Sequence, residues 1–436
     1  GSRSRRQPPP VTDRSVPVPS GGGSVLPSPD EQVRRTVLDN GLRVVTDRLP
    51  TSRSVAASVW VGVGGRDESD EMSGASHFLE HLLFKGTDER DAKSIAVAID
   101  GIGGDMNAFT ANEHTAFYAR MPAVEAHVGI DLLLDVVQNP ALRDWEFDGE
   151  REVILEELAA AEDDPDDVSS VKLFERLFPD HPLGREVLGS IESIDGLTRD
   201  AVRDFFGEWY TPANLVVAAA GDIDHDLLVD EVDRRFGDRS PGPVPTRTVP
   251  DDRLGESSVE VRPIEVVHLA MGWRALAVDD DGRYALALLN HVFGSGPSSR
   301  LFQEVREERG LTYSISSAVS HHVDTGAVSV HCATAPGKVD DLIAVVDTIL
   351  DDVVSHGISR EELARAKGSL RGAYLMSYED VGTRMTRLGM SETMRGGLTP
   401  IDEHLARLEA VTDDEVQRVA EQVLGSARVM SSVGPR

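Results

Sequence analysis

The second half of this chain repeats the plan of the first, and that repeat restricts the fold more than any other feature. Strand alternation over 54–63 is followed by a short apolar helix, a second helix over 92–99 and paired strands over 105–110 and 115–120. Helices over 123–137 and 145–162 come next. The later half offers a strand over 265–273 and a helix over 284–293. A helix over 300–309, strands over 311–319 and 327–333, and helices over 338–356 and 360–378 then keep the same order. A chain of 436 residues is too long for one compact core. The fold expected is α+β, with two homologous domains, each a mostly antiparallel sheet with helices packed on it.

The boundaries follow composition. Residues 1–30 are rich in Pro, Ser, Gly and Arg and are expected to be a disordered tail. Residues 31–236 form the first domain; 237–256 lack periodicity and read as a linker; 257–436 form the second. Asn40-Gly41 marks a hairpin, Thr198 caps a helix over 198–210, and 214–220 is a buried strand before a helix over 224–236.

Chemistry concentrates in His77-Phe78-Leu79-Glu80-His81, which reads H-x-x-E-H, the reverse of H-E-x-x-H. Ser73 can cap this helix, Gly86 fits its end, and Phe78, Leu79, Leu82, Leu83 and Phe84 bury its body. Histidines four apart project from one helix face, and Glu80 reaches that face, placed to take a proton from water on a metal. Catalytic zinc takes three protein ligands, so a third is required. The helix around Glu150 to Glu157 offers two acids seven residues apart on one face. Without a third ligand, the histidines would be a buried pair and the second stretch a solvated acidic helix.

These two stretches resemble the pitrilysin and mitochondrial processing peptidase family of zinc proteases, the inverzincins. In that family a ligand Glu within E-R-x-V-I-x-x-E follows H-x-x-E-H by about 76 residues; here Glu157 lies 76 beyond His81, and Glu150 to Glu157 fits the second signature. The resemblance runs from about residue 34. It implies one zinc per chain on His77, His81 and Glu157, with Glu80 as base and Glu150 as an acid that orients the site.

The same resemblance extends to Gly294-Ser295-Gly296-Pro297-Ser298-Ser299, which leads to Arg306 and Tyr313, seven apart. It implies that this pair contacts the substrate main chain and the carbonyl oxygen as it becomes an oxyanion, a task suited to a permanent cation and a phenol donor. Residues 105–110 are expected to be an edge strand near the metal, able to take an extended peptide by strand addition. Asn107 and Ala108 match the family's substrate-pairing strand, and Phe109 is counted with them. His114 matches a family pattern but takes no catalytic role; His181 is a loop residue, and His321-His322 is expected at the surface.

A net charge of −31 excludes a phosphate-backbone partner and would suit basic peptides. The single cysteine, Cys332, allows no internal disulfide and reads as a buried, inert thiol in a reducing, cytoplasmic compartment. No apolar run has membrane-spanning length, and no secretory signal is visible. The function expected is zinc-dependent endopeptidase or oligopeptidase action on unfolded peptides, by a homodimer. The rivals are a silent peptide-binding scaffold and the active subunit of a heterodimeric processing peptidase.

Overall fold

Asn40 turns the first hairpin: its Oδ1 accepts the Leu42 N–H at 3.2 Å, and Val33–Val37 (β1) pairs antiparallel with Arg43–Arg48 (β2). The structure is a computed structural model that describes residues 33–435. The stretch expected to be a disordered tail lies outside the described residues. The first half continues with β3 (Ser54–Val61), α1 (Ala75–Leu83), α2 (Ala92–Gly101), β4 (Asp105–Thr110), β5 (Thr115–Pro122) and α3 (Ala126–Gln138). Then come α4 (Asp144–Asp163), α5 (Pro165–Leu177), α6 (Ile191–Gly196), α7 (Arg199–Trp209), β6 (Leu215–Gly221) and α8 (His225–Phe236). The sheet runs β1-β2-β6-β3-β5-β4, with β2 and β6 its parallel pair. Every residue of central β6 is buried, as a continuous apolar strand covered on both faces requires.

After a stretch without helix or strand, the second half builds β7 (Ser258–Val261), β8 (Val267–Ala275), α9 (Arg283–Phe293), β9 (Thr312–His321) and β10 (Gly326–Thr334). It ends with α10 (Val339–His356), α11 (Arg360–Ser377), α12 (Val381–Arg395), α13 (Ile401–Ala410), α14 (Asp413–Val419) and β11 (Arg428–Gly434). Its order, β7-β11-β8-β10-β9, is that of the first sheet without β1, again with one parallel pair, β7 and β11. The helix expected over 300–309 is wound as a π-helix over Phe302–Glu308. Cys332 is buried on β10, and burial pushes its thiol up to about 12.

The two halves exchange helices. Helix α5 packs on β8 and β11 through Leu173 and Leu177, while α12 packs on β3 and β6 through Val381, Met385 and Leu388. Each of these buried side chains stabilises the join by roughly 1.5–3 kcal/mol. Glycines permit the close approach. A Cβ at Gly389 would stand 1.8 Å from Trp60 Nε1, and one at Gly272 would stand 2.8 Å from Leu177 Cδ1.

A buried ion-pair clasp also crosses the halves. Arg66 pairs with Glu113 at 2.6 Å and with Asp324 at 2.6 Å, and Arg247, from the irregular stretch, pairs with Asp67 at 2.8 Å. Glu113 Oε2 accepts the Val323 N–H at 3.0 Å. His322, expected at the surface, is instead 8% exposed with Nδ1 3.8 Å from Glu113, because the β9–β10 turn folds into this clasp.

Candidate metal centre

Helix α1 begins on a cap that the sequence did not show. Ser73 makes no capping bond; the buried Glu68 carboxylate accepts the N–H groups of Gly74 at 2.8 Å and Ser76 at 2.6 Å. Burial pushes that carboxyl up to about 7, against the pull of the N–H bonds that it accepts. At the other end the C-cap is Phe84, two residues before Gly86. Phe78, Leu79, Leu82 and Leu83 are buried in the sheet core, which turns His77, Glu80 and His81 to the open face. Phe78 stacks on Phe147 of α4 with centroids 4.4 Å apart, bringing α4 alongside α1.

That contact delivers Glu150 and Glu157. Glu157 Oε2 lies 3.6 Å from His77 Nε2 and 3.5 Å from His81 Nε2. One donor atom from each of the three residues falls within 4.8 Å of the other two. Bonds of about 2.0–2.1 Å in a tetrahedron separate ligand atoms by about 3.4 Å, so these residues fit a zinc ion. Among the described residues His77 Nδ1 is buried without a partner, and burial, with His81 beside it, pushes the ring down to about 4. It is therefore a neutral imidazole at neutral pH, the form that binds metal. Glu150 is 8% exposed; its Oε2 lies 3.1 Å from His81 Nδ1 and its Oε1 2.6 Å from Lys85 Nζ. Glu157 is 44% exposed, so the centre opens to solvent on that side.

Glu80 is half-buried beside these groups, and burial raises its carboxyl above the ordinary range, against the bond from Thr110. Thr110 Oγ1 donates to Glu80 Oε2 at 2.6 Å. Asn107, Ala108 and Phe109 lie on β4, which is the edge strand expected. Phe109 packs edge-on to Trp60 at 5.6 Å.

Arg306 and Tyr313 lie on the second half, Arg306 in the π-helix over Phe302–Glu308 and Tyr313 on β9. The Arg306 guanidinium lies 5.3 Å from the Tyr313 ring centroid, and Tyr313 is 86% exposed. Among the described residues, neither bonds to the histidines or to their acids. His114 is buried against Trp60, and His181 caps a loop turn. In α9, Asn290 accepts a bond from Ser317 Oγ at 2.7 Å and Leu289 is buried, so the second copy holds no metal motif. Glu68, Lys85 and Thr110 escaped sequence reading; only Thr110 left a signal, the alternation that puts it on the face of buried Ala108.

Residues 43–190 match the family model described as Insulinase (Peptidase family M16), and residues 196–370 match Peptidase M16 inactive domain. The chain belongs to the M16, or pitrilysin, family of peptidases. It is of the short two-domain bacterial type. An uncharacterised zinc protease of Streptomyces coelicolor is 41% identical over 411 residues, covering 92% of this chain and 90% of that protein. One from Mycobacterium tuberculosis is 43% identical over 410 residues, covering 92% and 93%. The M16 fold recurs in a protease from Helicobacter pylori, with TM-score 0.86 at 20% identity, covering 93% of this chain and 100% of that one. Family and relatives support a peptidase-like function for this M16 chain. No helix among the described residues is long and apolar enough to cross a membrane.

Proposed function

We propose that this M16 protein is a zinc-dependent endopeptidase or oligopeptidase acting on extended, unfolded peptides. The observation that carries this reading is the convergence of His77, His81 and Glu157 on one point with Glu80 beside it. The relatives named as zinc proteases favour zinc as the metal, one per chain on those three ligands. Bound there, zinc supplies Lewis-acid chemistry that acidifies water and polarises a carbonyl.

The protein's own residues do the rest. Glu150 fixes the His81 ring, so that Nε2 faces the metal position. Glu80 takes the proton of the attacking water and returns it to the leaving amine. The substrate adds as a strand to β4 at Asn107, Ala108 and Phe109. Arg306 and Tyr313 donate to the carbonyl oxygen as it becomes negative. The exposure of Tyr313 and the absence, among the described residues, of bonds from this pair to the cluster favour a homodimer in which each chain's pair serves the other's centre. A groove of about 610 Å³ beyond Glu157 is lined by Glu162, Asp167, Glu175, Glu186 and Glu260 against two cations, Lys172 and Arg262, and this acidic excess favours basic peptides. The domain carrying the centre is 31–236, and 257–436 supplies the Arg/Tyr pair. Elemental analysis for zinc, with a peptide-library digest read by mass spectrometry, tests this: a folded, metal-free protein that cleaves nothing would support a scaffold instead.

A further inference from the structure

Thr110 stands where the peptide-binding edge meets the base. Its hydroxyl donates to Glu80 Oε2 at 2.6 Å. Its backbone lies on β4, and the hairpin shows which way that backbone faces. The Ala111 N–H donates to the His114 carbonyl at 2.8 Å, which makes those two a hydrogen-bonded pair. In an antiparallel ladder such pairs alternate with non-hydrogen-bonded ones. Thr110 opposite Thr115 and Ala108 opposite Phe117 are therefore non-hydrogen-bonded pairs. The N–H and C=O groups of Ala108 and Thr110 point to the open edge of the sheet. The Ala108 N–H, left without a strand partner, is taken by Asn107 Oδ1 at 2.8 Å.

Only one Glu80 oxygen is held among the described residues. Among the described residues Oε1 has no hydrogen-bond partner, so it is the atom free to face water. The hairpin holding Thr110 is fixed at its turn, where Glu113 pairs with Arg66 at 2.6 Å and accepts the Val323 N–H at 3.0 Å. Thr110 is thus on a rigid element, as precise positioning demands.

We infer that Thr110 is a positioning residue: its hydroxyl selects which Glu80 oxygen takes the proton, while its backbone aligns the peptide strand with that oxygen. This rests on the peptidase reading. A threonine that merely favours a strand would bring no such link between base and edge.

The test compares Thr110→Val, which keeps shape and loses the donor, with Thr110→Ser, which keeps the donor. On an internally quenched nonapeptide, Thr110→Val should leave KM within about twofold and lower kcat roughly tenfold. Thr110→Ser should restore kcat to within about twofold. In crystals of the metal-free variants, the Glu80 carboxylate should leave its place beside residue 110 in Thr110→Val and keep it in Thr110→Ser. Wild-type kcat in Thr110→Val, equal loss in both variants, or an unmoved Glu80 in Thr110→Val would each overturn the inference. If the wild type cleaves no peptide, the peptidase reading fails and the catalytic role of Thr110 with it, while the crystals still decide whether Thr110 holds Glu80.

Discussion

His81 Nδ1 lies 3.1 Å from Glu150 Oε2. A neutral imidazole so placed donates its Nδ1–H to the carboxylate and keeps the Nε2 lone pair for a metal. Glu150→Gln keeps an acceptor but loses the carboxylate charge beside the ring. Zinc affinity, measured by titration calorimetry on metal-free protein, should fall about 10–100-fold. An unchanged affinity would remove Glu150 from the site.

Adjacent acids on α4 separate the proposed ligand from a bystander. Glu157 Oε2 sits within 3.6 Å of both His77 and His81 Nε2 atoms, whereas Glu156 is exposed and turned about 100° away. Glu157→Gln should release zinc, and Glu156→Gln should retain it. Elemental analysis of the two purified variants checks this, and the opposite pattern would place the register one residue off.

How far this centre was legible depends on where each contact comes from. His77, Glu80 and His81 lie on one helix, so their common face follows from the helical period alone. The period of α4 offered Glu150 and Glu157 alike, and only the family resemblance singled out Glu157; its meeting with α1 depends on the Phe78–Phe147 stack, a tertiary contact without sequence spacing. Glu68 caps α1 from a loop six residues before Gly74, where a local Ser73 had seemed the natural cap. The repeat showed two sheets and the order of elements along the chain, not the order of strands within each sheet. It did not show that α5 and α12 cross to the opposite sheets, because an apolar helix face does not say which surface it covers. The small residues that admit α12, Gly389 above all, carry no periodic signal.

The clasp between the halves should be acid-labile. Burial alone would raise the Glu113 carboxyl, but His322, Arg247 and Arg66 hold it down at about 2, against an ordinary 4.5. A folded-state value below the unfolded one contributes stability that is present above about pH 4.5 and lost as the pH falls toward 2. That contribution is roughly 3 kcal/mol. Glu113→Gln should destabilise the protein by about this amount at pH 7, with the gap to wild type narrowing by pH 3. Denaturant unfolding at both pH values checks it; an equal gap at both would contradict the assignment.

The half-buried Arg306 and the exposed Tyr313 give a test of subunit exchange. Glu80→Gln chains co-expressed with Tyr313→Phe, Arg306→Ala chains should form mixed dimers with one intact centre and one doubly broken one. Random mixing makes half the dimers mixed, so activity should recover to roughly a quarter of wild type. If the pair acts within its own chain, every centre carries a lesion. No recovery in verified mixed dimers would refute the exchange.

The central claim is a metal centre whose base is Glu80, and one paired measurement tests it most directly. Zinc content and peptide hydrolysis are measured on wild type and Glu80→Gln, side by side. Gln is nearly isosteric, cannot accept the proton and replaces no ligand. Both proteins should carry one zinc per chain, and Glu80→Gln should hydrolyse peptides roughly a hundredfold more slowly or worse. Near-normal turnover in Glu80→Gln, or a wild-type protein that folds without zinc and cleaves peptides all the same, would contradict the account.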